Sequence, residues 1–194
     1  VGHSTFGLAD HDAFVILGIS VAFYFWIRTV QSLDDRKLID EAGFSPSLLL
    51  KAYSAAWEKH KQTMVLSSMA GLSFATTALG WKGFVYGPGI VFLIFAMQIL
   101  LNMFRRKDSM LLTMAAVNMM FLTLILTIPV YGHNQLHLLF EASGLQPMFY
   151  IAGITFGLGW TASAFRDKPW LLVLGTTAVL GGTFVGILAF LQFG

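Results

Sequence analysis

Six stretches of the sequence run for 18 to 24 residues with no charged side chain, or with a single one near an end. They are Ala13–Val30, Gln62–Leu79, Phe84–Phe104, Met110–Val130, Met148–Phe165 and Trp170–Phe193. Roughly 20 apolar residues are needed to cross the hydrocarbon core of a bilayer as an α-helix. The six stretches therefore predict six membrane-spanning helices.

Composition supports the same fold class. Of the 194 residues, 56% are hydrophobic and only 11% are charged, whereas a soluble domain carries roughly 25% charged residues. We therefore expect an all-α, polytopic helix bundle that forms a single transmembrane domain over residues 1–194. Cysteine is absent, which excludes disulfides and thiolate chemistry within this sequence.

The second stretch is the most polar of the six, because hydroxyl side chains dilute it. These are Ser67, Ser68, Ser73, Thr76 and Thr77. Hydroxyl groups in a membrane helix favour contact with other helices. We expect this helix to face its neighbours or a cavity.

The basic residues predict an orientation. Eleven of the twelve lie in the segments 28–61, 105–109 and 166–168, which share one side if the helices alternate, and only Lys82 lies on the other side. Lysine and arginine accumulate on the cytoplasmic side of membrane proteins. The start of the chain is therefore predicted to be extracytoplasmic, and the basic residues indicate orientation rather than binding to nucleic acid.

The long basic segment contains a second kind of helix. Ser45 followed by Pro46 is typical of a helix start, and apolar residues then recur at helical spacing among charged ones. This pattern predicts an interfacial amphipathic helix on the cytoplasmic side.

Two carboxylates, Asp10 and Asp12, directly precede the first uncharged run, with His11 between them. A carboxylate near hydrocarbon is costly to keep ionised, and a hard divalent cation bound by oxygen ligands is one compensation. An aspartate just before a helix also commonly caps its free N–H groups. The residues alone leave metal binding and helix capping open.

Two further motifs follow these carboxylates in the chain, the turn Gly80-Trp81-Lys82-Gly83 and the helix end Ile128-Pro129. Their order resembles the catalytic subunit of oligosaccharyltransferase, in which an Asp-x-Asp type motif in an external loop precedes the fourth membrane helix. The resemblance covers nearly the whole chain, as the fourth to ninth of that family's thirteen membrane helices.

The resemblance implies an enzyme that transfers a glycan from a polyprenyl phosphate or pyrophosphate carrier to the asparagine of Asn-x-Ser/Thr in an acceptor polypeptide. It implies Asp10 and Asp12 as catalytic residues and as ligands of Mn²⁺ or Mg²⁺, on the extracytoplasmic side of an integral membrane protein. The prokaryotic plasma membrane is favoured over the endoplasmic reticulum. Membrane lipid is a further expected partner.

Trp81, Lys82 and Tyr86 surround the external turn. Trp81 and Tyr86 fit the aromatic belt at a membrane interface. The resemblance permits a second role for all three, as contacts to the phosphate or first sugar of the lipid-linked donor.

Some of the family's active-site parts do not occur in this sequence. They include a second acidic metal ligand, a loop glutamate and the Trp-Trp-Asp-Tyr-Gly signature, and His3 stands where relatives usually have arginine. We therefore expect a fragment of a larger enzyme, inactive alone. Another polyprenyl-phosphate-dependent membrane glycosyltransferase and a non-enzymatic membrane subunit are the alternative functions.

The predicted orientation is tested by cysteine labelling in intact cells. Ser4→Cys and Ser143→Cys variants should react with a membrane-impermeant thiol reagent, because the basic residues place both on the outside. Ser47→Cys should react only after the membrane is opened. The reverse labelling pattern would contradict the orientation.

Overall fold

The structure is a computed structural model that describes residues 5–33, 37–39, 45–80, 82–132, 145–165 and 168–169, with short separate stretches between 171 and 183. Within these ranges, the side chains of residues 5–12, 82 and 130–132 are not described.

The described residues as far as 165 form six α-helices and one short 3₁₀ turn. They are α1 (Thr5–Gln31), α2 (Pro46–Lys59), α3 (Lys61–Gly80), the 3₁₀ turn (Lys82–Val85), α4 (Tyr86–Phe104), α5 (Met110–Gly132) and α6 (Gln146–Ala164). None of the described residues forms a strand. The predicted all-α membrane bundle is confirmed.

Four of these helices, α1, α3, α4 and α5, are long and apolar enough to cross a membrane, so the chain is an integral membrane protein. The fifth predicted span forms α6, whose polar residues, such as Gln146 and Thr161, leave it outside that group. Its crossing of the membrane stays a prediction. The sixth, Trp170–Phe193, lies largely outside the described residues.

The bundle is arranged around α3. This helix packs against α1 on one side and α5 on the other, α6 packs against α5, and α4 packs against α6. Large side chains from five helices fill the space between them. This core includes Trp26, Phe74, Phe95, Ile99, Met119, Met120 and Met148. Its two ends are called here the Asp-x-Asp end, where α1 begins, and the α2 end, where α2 packs.

The backbones of α3 and α5 approach each other closely at Gly71. A Cβ atom added to Gly71 of α3 would lie 2.6 Å from the carbonyl oxygen of Met119 on α5. The Thr123 hydroxyl of α5 donates a hydrogen bond to the Gly71 carbonyl oxygen at 3.2 Å. Glycine at this position lets the two backbones approach, as small residues commonly do between membrane helices.

A buried amide links three helices near the α2 end. The side-chain nitrogen of Asn118 on α5 donates to the hydroxyls of Ser67 and Ser68 on α3, both at 2.8 Å. The Tyr53 hydroxyl of α2 donates to the Asn118 amide oxygen at 2.7 Å. Asn118 is 2% exposed, so these bonds satisfy polar groups that water does not reach.

The hydroxyls of α3 confirm that this helix faces its neighbours. Ser67 and Thr77 are fully buried, and each donates to a carbonyl oxygen within α3, of Met64 and Phe74 respectively. Such internal bonds let a hydroxyl lie between packed helices without an unsatisfied donor.

The predicted helix after Ser45 is present as α2, and its position at the cytoplasmic membrane interface stays a prediction. Ala52 and Ala56 are fully buried against side chains from α3 and α5, so this side of the helix meets protein. Pro46 occupies the first turn, and Ser45 lies at the N-cap with extended backbone but makes no capping hydrogen bond through its side chain. Its hydroxyl lies 2.8 Å from that of Ser47 instead.

Two backbone hydrogen bonds from the turn between α4 and α5 cap the C-terminus of α4. The Lys107 N–H donates to the Asn102 carbonyl and the Arg106 N–H donates to the Met103 carbonyl, at 2.8 and 3.2 Å. This is the Schellman arrangement, whose left-handed residue is usually glycine. Here it is Arg106, with φ 54°, at a cost of roughly 1–2 kcal/mol for a residue with a side chain.

Two glycine substitutions test the close α3–α5 contact. Gly71→Ala should destabilise the full-length protein by about 1–3 kcal/mol, because the added methyl meets a backbone carbonyl that cannot rotate away. Gly157→Ala in α6 is the matched control, since nothing lies within 4 Å of its added Cβ and alanine favours a helix. Unfolding in detergent measures both, and equal effects would contradict the contact.

Candidate functional site at the Asp-x-Asp end

The contact between α1 and α3 defines the geometry of the Asp-x-Asp end. Gly18 of α1 lies against Thr77 of α3, where an added Cβ would be 2.5 Å from the threonine methyl. From this contact, Asp12 lies six residues back along α1, about 9 Å at 1.5 Å per residue. Helix α3 ends at Gly80, about 4.5 Å beyond Thr77. The Asp-x-Asp segment therefore extends past the end of α3, at the level of the turn that follows it.

The turn after α3 is anchored by Phe84. Its side chain is fully buried and packs with Ala78 of α3 and Leu145 at the start of α6. Gly87 in the first turn of α4 allows close contact with the ring of Phe74, where a Cβ would come within 2.5 Å. These contacts fix the turn to three helices of the bundle.

The structure thus brings two predicted parts of the site, the Asp-x-Asp segment and the 3₁₀ turn, to one end of the bundle. Lys82 begins this turn, but its side chain is outside the described residues, as is the whole of Trp81. Tyr86 is the first residue of α4 and is 73% exposed. This exposure suits an aromatic belt residue and leaves its ring accessible to a ligand.

The start of α1 corrects the expectation that the carboxylates precede a helix. Helix α1 begins at Thr5, eight residues before Ala13, so Asp10 and Asp12 are its sixth and eighth residues. An N-cap residue stands immediately before the first helical turn. Helix capping of α1 by either aspartate is therefore wrong for this structure.

The same helix limits how the two carboxylates can act together. An α-helix turns about 100° per residue, so positions 10 and 12 lie about 200° apart around α1. Side chains two residues apart do not face each other on a helix. A regular α1 therefore places positions 10 and 12 on different sides of the helix.

The described side chains contain no group of three or more His, Cys, Asp or Glu residues that could hold a metal. Oxygen ligands suit Mn²⁺ and Mg²⁺, so a single aspartate of α1 fits such an ion chemically. A complete coordination shell would need further ligands from outside the described side chains.

Sequence reasoning missed the residues that hold the site in place. Phe84 lies in an apolar run, where nothing in the sequence distinguishes an anchor from a lipid-facing side chain. No sequence pattern identified Gly87 either, because its role depends on the ring of Phe74, thirteen residues away. Only the packing of α3, α4 and α6 identifies both.

The anchoring role of Phe84 is tested by truncation. Phe84→Ala should destabilise the full-length protein by about 3–5 kcal/mol, the usual range for a buried aromatic ring. Leu79→Ala is the control at the same end, because Leu79 is 66% exposed and should cost much less. Thermal unfolding in detergent compares them, and equal losses would show that Phe84 is no anchor.

Comparison with known families identifies one match. The family model described as "Oligosaccharyl transferase STT3, N-terminal" matches residues 1–191. No curated protein and no solved structure matches the chain. Since the match covers almost all of the 194 residues, the chain belongs to the oligosaccharyl transferase STT3 family and corresponds to its N-terminal region.

Proposed function

We propose that this chain is part of a metal-dependent oligosaccharyltransferase. The reaction moves a glycan from a polyprenyl phosphate or pyrophosphate carrier to the side-chain nitrogen of asparagine in Asn-x-Ser/Thr. The observation that carries the proposal is that the Asp-x-Asp segment and the anchored 3₁₀ turn lie at the same end of a bundle from this family.

The metal in this proposal is Mn²⁺ or Mg²⁺, held by at least one of Asp10 and Asp12. When bound, such an ion offsets negative charge that gathers on a leaving phosphate. The helical register of α1 supports one carboxylate as the ligand from this segment, with the other free for a second task. That task is to accept a hydrogen bond from the acceptor amide and orient its nitrogen.

In this proposal, the turn after α3 binds the lipid-linked glycan donor. Lys82 begins the turn and carries the positive charge that suits a carrier phosphate. Trp81 and Tyr86 flank it with aromatic rings, which suit a sugar face or the membrane interface. The buried Phe84 ring packs the described part of this turn against Ala78 and Leu145.

The position of the site follows from the orientation predicted by the basic residues. In that orientation the Asp-x-Asp end lies on the extracytoplasmic side, where acceptor polypeptides emerge. We propose the prokaryotic plasma membrane as its location.

Substitutions at the two aspartates test the proposal in the full-length protein. Asp10→Asn and Asp12→Asn keep an oxygen atom but remove the charge that a hard cation requires. At least one variant should remain folded and lose glycan transfer by tenfold or more, in line with losses of about 10–100-fold for perturbed metal sites. Raised Mn²⁺ should restore part of it. Because the two positions face apart on α1, the two losses should be unequal.

Asp108→Asn is the matched control. Asp108 lies at the α2 end, where its carboxylate accepts the Met110 N–H at 3.1 Å, and asparagine can keep that bond. This variant should retain parental transfer and parental Mn²⁺ dependence. If both N-terminal variants and their double combination behave like the control, the metal assignment is wrong.

A further inference from the structure

The α4–α5 turn presents two adjacent cations at the surface. Arg105 and Arg106 are both exposed, and among the described residues no ion pair or side-chain hydrogen bond involves either guanidinium. Arg106 also holds the left-handed position of the turn, which glycine fills without strain. Arginine at this position, with φ 54°, keeps a charge at a conformational cost.

An apolar strip leads along α4 to these cations. Met97, Leu101 and Phe104 are 63%, 42% and 62% exposed, and Arg105 continues the same helical face because residues four apart lie one above the other. The opposite face of α4 is buried, through Phe95 among others. One exposed face therefore joins three apolar side chains to Arg105, and the exposed Arg106 is the next residue in the chain.

The chemistry of this surface fits one kind of ligand in particular. Arginine binds phosphate oxygens with a planar pair of N–H donors. A free phosphate would use the two guanidinium groups but not the strip, whereas a phospholipid has acyl chains that fit beside Met97 and Leu101. Positive side chains next to a membrane also attract anionic lipids.

We propose that the α4–α5 turn and the strip of α4 form a binding site for an anionic phospholipid. Its phosphate lies against Arg105 and Arg106, in the leaflet on the α2 side of the bundle, and its acyl chains lie along Met97, Leu101 and Phe104. The site is at the opposite end from the Asp-x-Asp segment and does not depend on the proposed transferase reaction.

The test measures phosphatidylglycerol binding to the delipidated full-length protein in neutral detergent by native mass spectrometry. Each cation beside an anionic lipid contributes a factor of about five, so Arg105→Gln with Arg106→Gln should weaken binding roughly 25-fold. Phosphatidylcholine binding should change little. Lys37→Gln with Lys59→Gln is the control, because it removes two exposed cations that do not end the α4 strip, and it should bind phosphatidylglycerol like the parent.

Arg106→Gly separates charge from folding. It removes one cation and also relieves the left-handed strain, so its thermal midpoint in neutral detergent should rise while its phosphatidylglycerol affinity falls about fivefold. The proposal is overturned if the double arginine variant binds this lipid as the parent does, or if the lysine control loses as much. It is also overturned if inorganic phosphate at equal concentration displaces the lipid, since that result would mean a simple anion site.

Discussion

The close contact between α3 and α5 is the constraint on which the rest of the bundle depends. Gly71 allows two backbones to approach until a hydroxyl of one helix reaches a carbonyl of the other, through Thr123. Lipid offers these helices no hydrophobic driving force, so packing and interhelical hydrogen bonds must hold them together. Helix α1 then packs on the far side of α3, and α6 on the far side of α5, where Gly159 lies directly against Thr113.

Hydropathy identified the helices because each is defined by a local property of the chain. The start of α1 was missed, since Asp10, His11 and Asp12 interrupt the apolar run without interrupting the helix. Helical hydrogen bonding depends on the backbone, and a few polar side chains beyond the membrane boundary do not oppose it. Hydropathy therefore indicates where the hydrocarbon core of the membrane ends, whereas the helix itself continues beyond that boundary.

The contacts between helices were less accessible to sequence reasoning. The hydroxyls of α3 correctly indicated a helix facing its neighbours, but they did not identify Asn118 as their partner. A single asparagine in an apolar run shows that a partner is needed and does not show which one. Prediction of the candidate site was limited in the same way. The Asp-x-Asp motif could be recognised from the sequence, whereas Phe84 has its role only because folding brings other residues into contact with it.

The bond between Tyr53 and Asn118 has a consequence for biosynthesis. The two residues are 65 positions apart, and a ribosome adds roughly 5–20 residues per second, so about 3–13 s pass between their syntheses. During that interval the Tyr53 hydroxyl and those of Ser67 and Ser68 lack the amide that joins them in the finished bundle. Helices α2 and α3 can thus reach their final arrangement only after α5 has entered the membrane. The entry of α5 is therefore the event that completes the hydrogen bonds joining these three helices.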